Sequence, residues 1–75
     1  MNHVKLQKGD RLAYCIGALE APSEAIVLSV CEYTGIVIFL TMSDHATHYC
    51  ELVQVHPQVE SLASVASQSG VFKLA

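Results

Sequence analysis

The side chains best suited to chemistry fall in one short run, where Asp44, His45, His48 and Cys50 stand close together. A zinc ion takes four N, S or O ligands in a tetrahedron, and a turn leading into a strand can present two or three of them. The run holds no Cys-x-x-Cys pair, however, and a fourth ligand has to come from far away in the chain. The plainer reading is a solvated turn followed by a strand histidine. Nucleophilic catalysis by a Cys–His pair needs a thiolate with its base in hydrogen-bond reach. His48 and Cys50 share one side of a strand, but their Cβ atoms then lie about 7 Å apart. His3 reads as a terminal residue, His56 as an exposed strand end, and Asp10 beside Arg11 as turn chemistry. Paired carboxylates, a Gly-rich phosphate loop and a Gly-x-Ser-x-Gly elbow are absent from the sequence. The expectation is therefore no catalytic residues, no metal ligands and no cofactor.

The elements that would position these groups are mostly strands. Lys8-Gly9-Asp10 has turn composition, and Arg11 to Ile16 alternates, with Leu12, Tyr14 and Ile16 on one side and Arg11, Ala13 and Cys15 on the other. Gly17 to Glu24 reads as a loop. Ala25–Cys31 and Ile36–Met42 read as a hairpin with Thr34-Gly35 as its two-residue turn, Gly35 taking the φ > 0 position. Tyr33 then faces Ile36, Cys31 faces Ile38, and Ser29 faces Leu40. Val30, Val37 and Phe39 fall on the other face. Neither face is polar, whereas an antiparallel hairpin commonly keeps one face wet. Thr47–Glu51 and Leu52–His56 read as two short β pieces or one bent strand. From Pro57, the spacing of Val59, Leu62, Ala63 and Ala66 predicts one narrow helical face, ended by Gly70. Val71 to Leu74 alternates as a last strand, a docked tail or an exchanged arm.

Composition limits the class of protein. Seventy-five residues make one small domain, expected to span 1–75 with its core at about 8–57. At this size only about 60% of the unfolded chain's surface can be buried, and small domains commonly rely on a disulfide set, a metal or a partner. Apolar residues make up 52% of the chain against 15% charged, a surplus for so small an interior. Four basic residues against seven acids leave no basic footprint for nucleic acid. Three cysteines without scaffold spacing read as reduced, buried thiols of a cytoplasmic protein. Met1 to Lys5 lacks a signal peptide's apolar core. Glu32 and Gly35 split the apolar run from Ala25 to Met42 below the roughly 20 residues of a membrane span.

The order of turn, strand, long loop, tight hairpin, polar turn and short final pair resembles a five-stranded SH3-like barrel. The likeness is carried by Lys8-Gly9-Asp10-Arg11-Leu12, Ala25-Ile26-Val27-Leu28 and Glu51-Leu52-Val53-Gln54-Val55-His56-Pro57. In outline the chain is similar to the small barrel proteins that bacterial integron gene cassettes encode, which include the plasmid-borne type II dihydrofolate reductases. The resemblance covers about residues 8–57. It implies a small all-β barrel of about five antiparallel strands with a short C-terminal helix or arm, and a homo-oligomer. The reductases carry Val-Gln-Ile-Tyr on the fourth strand, facing a shared pore. This chain has His48-Tyr49-Cys50-Glu51 there; Val53-Gln54-Val55-His56 echoes the motif one strand piece late and without the Tyr, and the pore lysine has no counterpart.

Binding is the remaining class. Tyr14, Tyr33, His48 and Tyr49 are candidates for a ligand-binding rim, since a rigid ring with a polar tip suits interfaces. Val27, Ile36, Ile38, Leu40 and Met42 are candidates for a subunit interface. The expected protein is a non-enzymatic, self-associating module, a dimer by preference, that binds a peptide, protein or small ligand but neither nucleic acid nor membrane. The alternative is a minimal enzyme whose site forms at an oligomer pore, as in the type II reductases.

Overall fold

The computed structural model describes residues 5–17, 20–66 and 68–75, and the side chains of all of these except 57 and 58. His3 and the first residues of the leader reading lie outside that set. Six strands run β1 (Arg11–Cys15), β2 (Ser23–Cys31), β3 (Ile36–Thr41), β4 (Ala46–Glu51), β5 (Val55–Val59) and β6 (Gly70–Leu74). They form one sheet in the order β4-β3-β2-β1-β6-β5, curled into a half-barrel. All neighbours are antiparallel except β5 and β6, which are parallel. The chain is a small all-β barrel-like fold.

The strand count differs from expectation. Val71 to Leu74 belongs to a true strand, β6, which takes the place beside β1, while the segment after Leu52 lies one position further out as β5. The C-terminal α-helix is not formed. Val59 is claimed by β5, where it pairs with Leu74, and only a single 3-10 turn, Leu62–Val65, follows. Ser61 and Ser64 favour local hydrogen bonds over helix propagation: their hydroxyls sit 3.2 Å apart, and Ser64 N–H donates to the Ser61 carbonyl. Of the four apolar positions of the expected helical face, Ala63 and Ala66 are exposed, and Val65 is the residue that turns inward.

β1 is buried on both faces, because its two sides serve two cores. Leu12 and Tyr14 join Leu6, Val27, Val37, Phe39, Leu52, Val55 and Val71 in the concave core. Ala13 and Cys15 join Val65, Phe72 and Leu74 on the convex side, with Val59 and Leu62 packed against them. The 3-10 turn is thus a lid on the β1–β6 half of the outer surface. The alternation read along β1 holds for Leu12 to Cys15; Ile16 falls beyond the strand and is exposed.

The central hairpin turns differently from the two-residue expectation. Cys31 pairs with Ile36, so Glu32 to Gly35 form a four-residue loop, closed by Gly35 N–H donating to the Cys31 carbonyl at 2.7 Å. Gly35 does take a positive φ, 75°. The register then slips between Val27 and Ser29, leaving Leu28 as the unpaired residue of a bulge. Beyond the bulge the alternation inverts, and Val27 enters the concave core at 1% exposure opposite Phe39. This corrects the placement of Val27 among the interface candidates. The bulge is tied down from outside the hairpin, since Val27 N–H donates to the Asp10 carbonyl and Gly9 N–H to the Val27 carbonyl, each at 2.9 Å.

A Cβ at Gly35 would meet nothing within 4 Å, so a substitution there tests backbone strain alone. Gly35→Val is expected to cost roughly 1–3 kcal/mol and to lower the melting temperature by several degrees per kcal/mol. Gly35→Asn, which tolerates positive φ, should fall between Val and the parent in a thermal melt.

Candidate functional site

The Asp44–Cys50 run divides between a self-satisfied turn and a packed strand. Met42 to His45 connect β3 to β4, with His45 at φ 57° and its N–H donating to the Thr41 carbonyl at 2.9 Å. The Asp44 carboxylate accepts from the buried Thr41 hydroxyl and, at 3.1 Å, from Ala46 N–H. These two donors, with a small contribution from His48, hold its pKa below the usual carboxylate value. His48 and Cys50 turn to the concave face of β4. His48 stacks on Phe39 (centroids 5.6 Å apart, 22° between planes) and tilts against Tyr14 at 4.8 Å. The imidazole is a packing group that closes one end of the core. Among the described residues, no three His, Cys, Asp or Glu side chains gather as metal ligands.

The three thiols are free and differ in kind. Cys15 is buried, its Sγ 3.6 Å from the Val65 carbonyl, and burial pushes its pKa up. Cys50 is half-buried, raised by burial first and by the neighbouring Glu51 second. Cys31 corrects the expectation of uniformly buried thiols, because it is exposed at the end of β2. The Thr34 hydroxyl foremost, then Thr34 N–H, draws its pKa down. Thr34 belongs to the four-residue loop that closes on Cys31, where its hydroxyl also accepts from Ile36 N–H at 3.3 Å.

The rim candidates do not share one rim. Tyr14 and His48 meet in the concave stack. Tyr33 stands at the hairpin tip, 99% exposed, and Tyr49 projects from the convex face of β4, 76% exposed. Near Tyr33 an open depression of about 480 Å³ includes Lys5, Leu6, Glu32, Gly35 and Leu52 in its wall. Leu6 is buried over the concave core, so this depression is the shallow mouth of a filled barrel end.

Among the described residues, no element packs over the convex face of β2, β3 and β4. The register sets three rows across it: Ile26–Leu40–Thr47, Ser29–Ile38–Tyr49 and Cys31–Ile36–Glu51. Of the interface candidates, Ile36, Ile38 and Leu40 lie in these rows, and Met42 sits at their end, partly exposed in the turn. Ile26 joins them in place of Val27, a member that sequence reasoning missed because no glycine or proline marks the bulge at Leu28. Ile38 is 36% and Met42 45% exposed. Among the described residues the 3-10 lid packs against β1, β5 and β6. No helix among the described residues is long and apolar enough to cross a membrane. Comparisons with protein-family models, curated proteins and solved structures find no match to this chain.

Two outcomes follow from the titrating groups. Alkylation should reach Cys31 first and Cys15 only on unfolding. The pH midpoint of Cys31 labelling should lie below that of an ordinary thiol, and Thr34→Val should move it up. A Cys31 midpoint that Thr34→Val leaves unmoved would refute the role of Thr34, and equal labelling rates at all three cysteines would refute the burial order. The depressed Asp44 pKa stabilises the fold above the unfolded carboxylate value of about 3.9, and that contribution is lost as pH falls through the folded pKa. Asp44→Asn keeps an acceptor for the turn but does not titrate. Its melting temperature should therefore fall less than the parent's between about pH 5 and pH 2.

Proposed function

We propose that this chain is a non-catalytic interaction module, akin to the small barrels of bacterial integron cassettes. In this reading it works in the cytoplasm as a homo-oligomer, a dimer first of all, and binds a peptide, protein or small ligand. The observation that carries the proposal is the convex face of β2–β4, uncovered among the described residues, where half-buried Ile26, Ile36 and Leu40 adjoin exposed Ile38 and Tyr49 beside Met42. Fully burying one such aliphatic side chain is worth roughly 1.5–3 kcal/mol, and two-fold symmetry uses each residue twice. The free cysteines agree with a reducing compartment.

Sedimentation equilibrium at micromolar concentration tests the association. The parent chain is expected to run as a dimer. Ile38→Asp sits at a partly exposed position and should keep the fold by circular dichroism, while weakening association roughly tenfold or more, the equivalent of 1.4 kcal/mol. Glu60→Lys, on an exposed residue away from the patch, should leave the dimer intact. A parent chain that stays monomeric overturns the proposal.

A further inference from the structure

The two edges of the sheet are built differently. β5, at one edge, contains Pro57, which has no N–H to offer, and its register against β6 shifts between His56 and Val59; proline and irregularity are two devices that blunt an edge. β4, at the other edge, holds six residues in unbroken register with β3, from Thr41↔Ala46 to Ile36↔Glu51. It has no proline, glycine, lysine or bulge. Among the described residues no strand pairs with its outer side, and the outward Glu51 N–H is held by Gln54 Oε1 at 3.0 Å, a bond that the Thr47 carbonyl of a second copy would replace. An edge this regular, next to an apolar face, is a template for another strand.

We propose that β4 pairs antiparallel with β4 of a second copy of this chain about a two-fold axis, joining the two sheets into one. The inference rests on the self-association reading and places a contact at the β4 edge, which does not itself bury Ile38 or Leu40. Residues opposite one another across an antiparallel pair share a face. Thr47, Tyr49 and Glu51 lie on the convex side and His48 and Cys50 on the concave side, so like must meet like. A register centred on Tyr49 satisfies this within β4. Tyr49 faces its own counterpart, Thr47 faces Glu51, and His48 faces Cys50. Opposed tyrosines make a favourable cross-strand pair, and a threonine hydroxyl opposite a carboxylate can donate to it. Charge does not oppose a second copy. Glu51 is the one carboxylate of β4, and this register holds the two copies of it four residues apart, about 13 Å along the strand. That exceeds the screening length of about 8 Å at physiological salt. Centring on His48 would instead set Thr47 against Tyr49 and leave Glu51 without a partner in β4. The pairing also places the Ser29–Ile38–Tyr49 rows of the two copies end to end, so their apolar faces become continuous.

Amide hydrogen exchange of the intact chain, read at dilute and at high concentration, tests the pairing together with sedimentation of Tyr49→Lys and Tyr49→Glu. Tyr49 is mostly exposed, so both variants should fold. The expected result is slowed exchange in β4 at high concentration. Each variant alone should lose the dimer where the parent forms it, and an equimolar mixture should restore a heterodimer. A dimer whose β4 amides exchange equally at all concentrations overturns edge pairing while leaving self-association standing. A monomer at all concentrations overturns both. Protection of β4 in a monomeric chain by an added extended peptide would assign the edge to a different partner and also overturn the pairing with a second copy.

Discussion

Everything in this fold hangs on β1, a strand with no wet face. Leu12 and Ala13 are adjacent and both fully buried, which is possible only because β1 lies between β2 and β6 with side chains packed above and below it. Leu12 anchors the concave core, which draws in both arms of the central hairpin. Ala13 and Cys15 anchor the convex one, and they are small enough to let the 3-10 turn approach with Val65. A larger residue at Ala13 would push Phe72 and the turn outward, since close-packed interiors accommodate added volume poorly. The polar connections at its ends serve the same strand. Asp10 accepts from Gln7 N–H and meets Lys73 at 3.9 Å, and Arg11 reaches both Glu24 and the terminal Ala75 carbonyl.

The strands themselves were legible from alternation and turn composition. Arg11–Cys15, the two hairpin arms and the break near Leu52 stand close to where period-two patterning and Gly or Pro punctuation place them. Register was not. A run such as Ala25 to Cys31, apolar at nearly every position, carries no phase, so a bulge can invert its two faces without leaving a trace in residue type. Only the backbone bonds from Gly9 and Asp10 to Val27 decide it, and those connect segments far apart in the chain. The last twenty residues show the same limit in another form. Val59, Leu62 and Ala66 have helical spacing, yet the β-branched Val59 gains a strand partner in Leu74, and the intervening serines have little helix propensity to oppose that gain.

The chemistry-bearing residues were legible as types and not as neighbours. Asp44, His45, His48 and Cys50 are close in sequence, but strand alternation and a left-handed residue at His45 send them to different places. Asp44 is consumed by the turn it closes, and His48 by the ring stack beneath Tyr14. Conversely, the one thiol with a depressed pKa, Cys31, has no basic neighbour in sequence to announce it; its thiolate is stabilised by hydroxyl and amide dipoles that exist only once the four-residue loop has formed.

An open sheet leaves two debts. Strand order ends at β4 on one side and β5 on the other, so the barrel stops short of closure and one regular edge stays unpaired. The 3-10 lid packs on the other half of the outer surface, against β1 and the strands beyond it, and not on the convex side of β2–β4 among the described residues. For 8.1 kDa, the usual scaling gives a folded surface of roughly 4500 Å²; this chain exposes 4954 Å², in a body measuring 34 × 28 × 18 Å. Closing the barrel would satisfy the β4 edge but would not cover Ile38 or Leu40, which point away from its interior. A strand added at β4 from outside satisfies the same edge and, lying in the plane of the sheet, also leaves Ile38 and Leu40 uncovered. For this sheet, pairing at β4 satisfies the edge, and covering Ile38 and Leu40 takes a separate contact on the convex face.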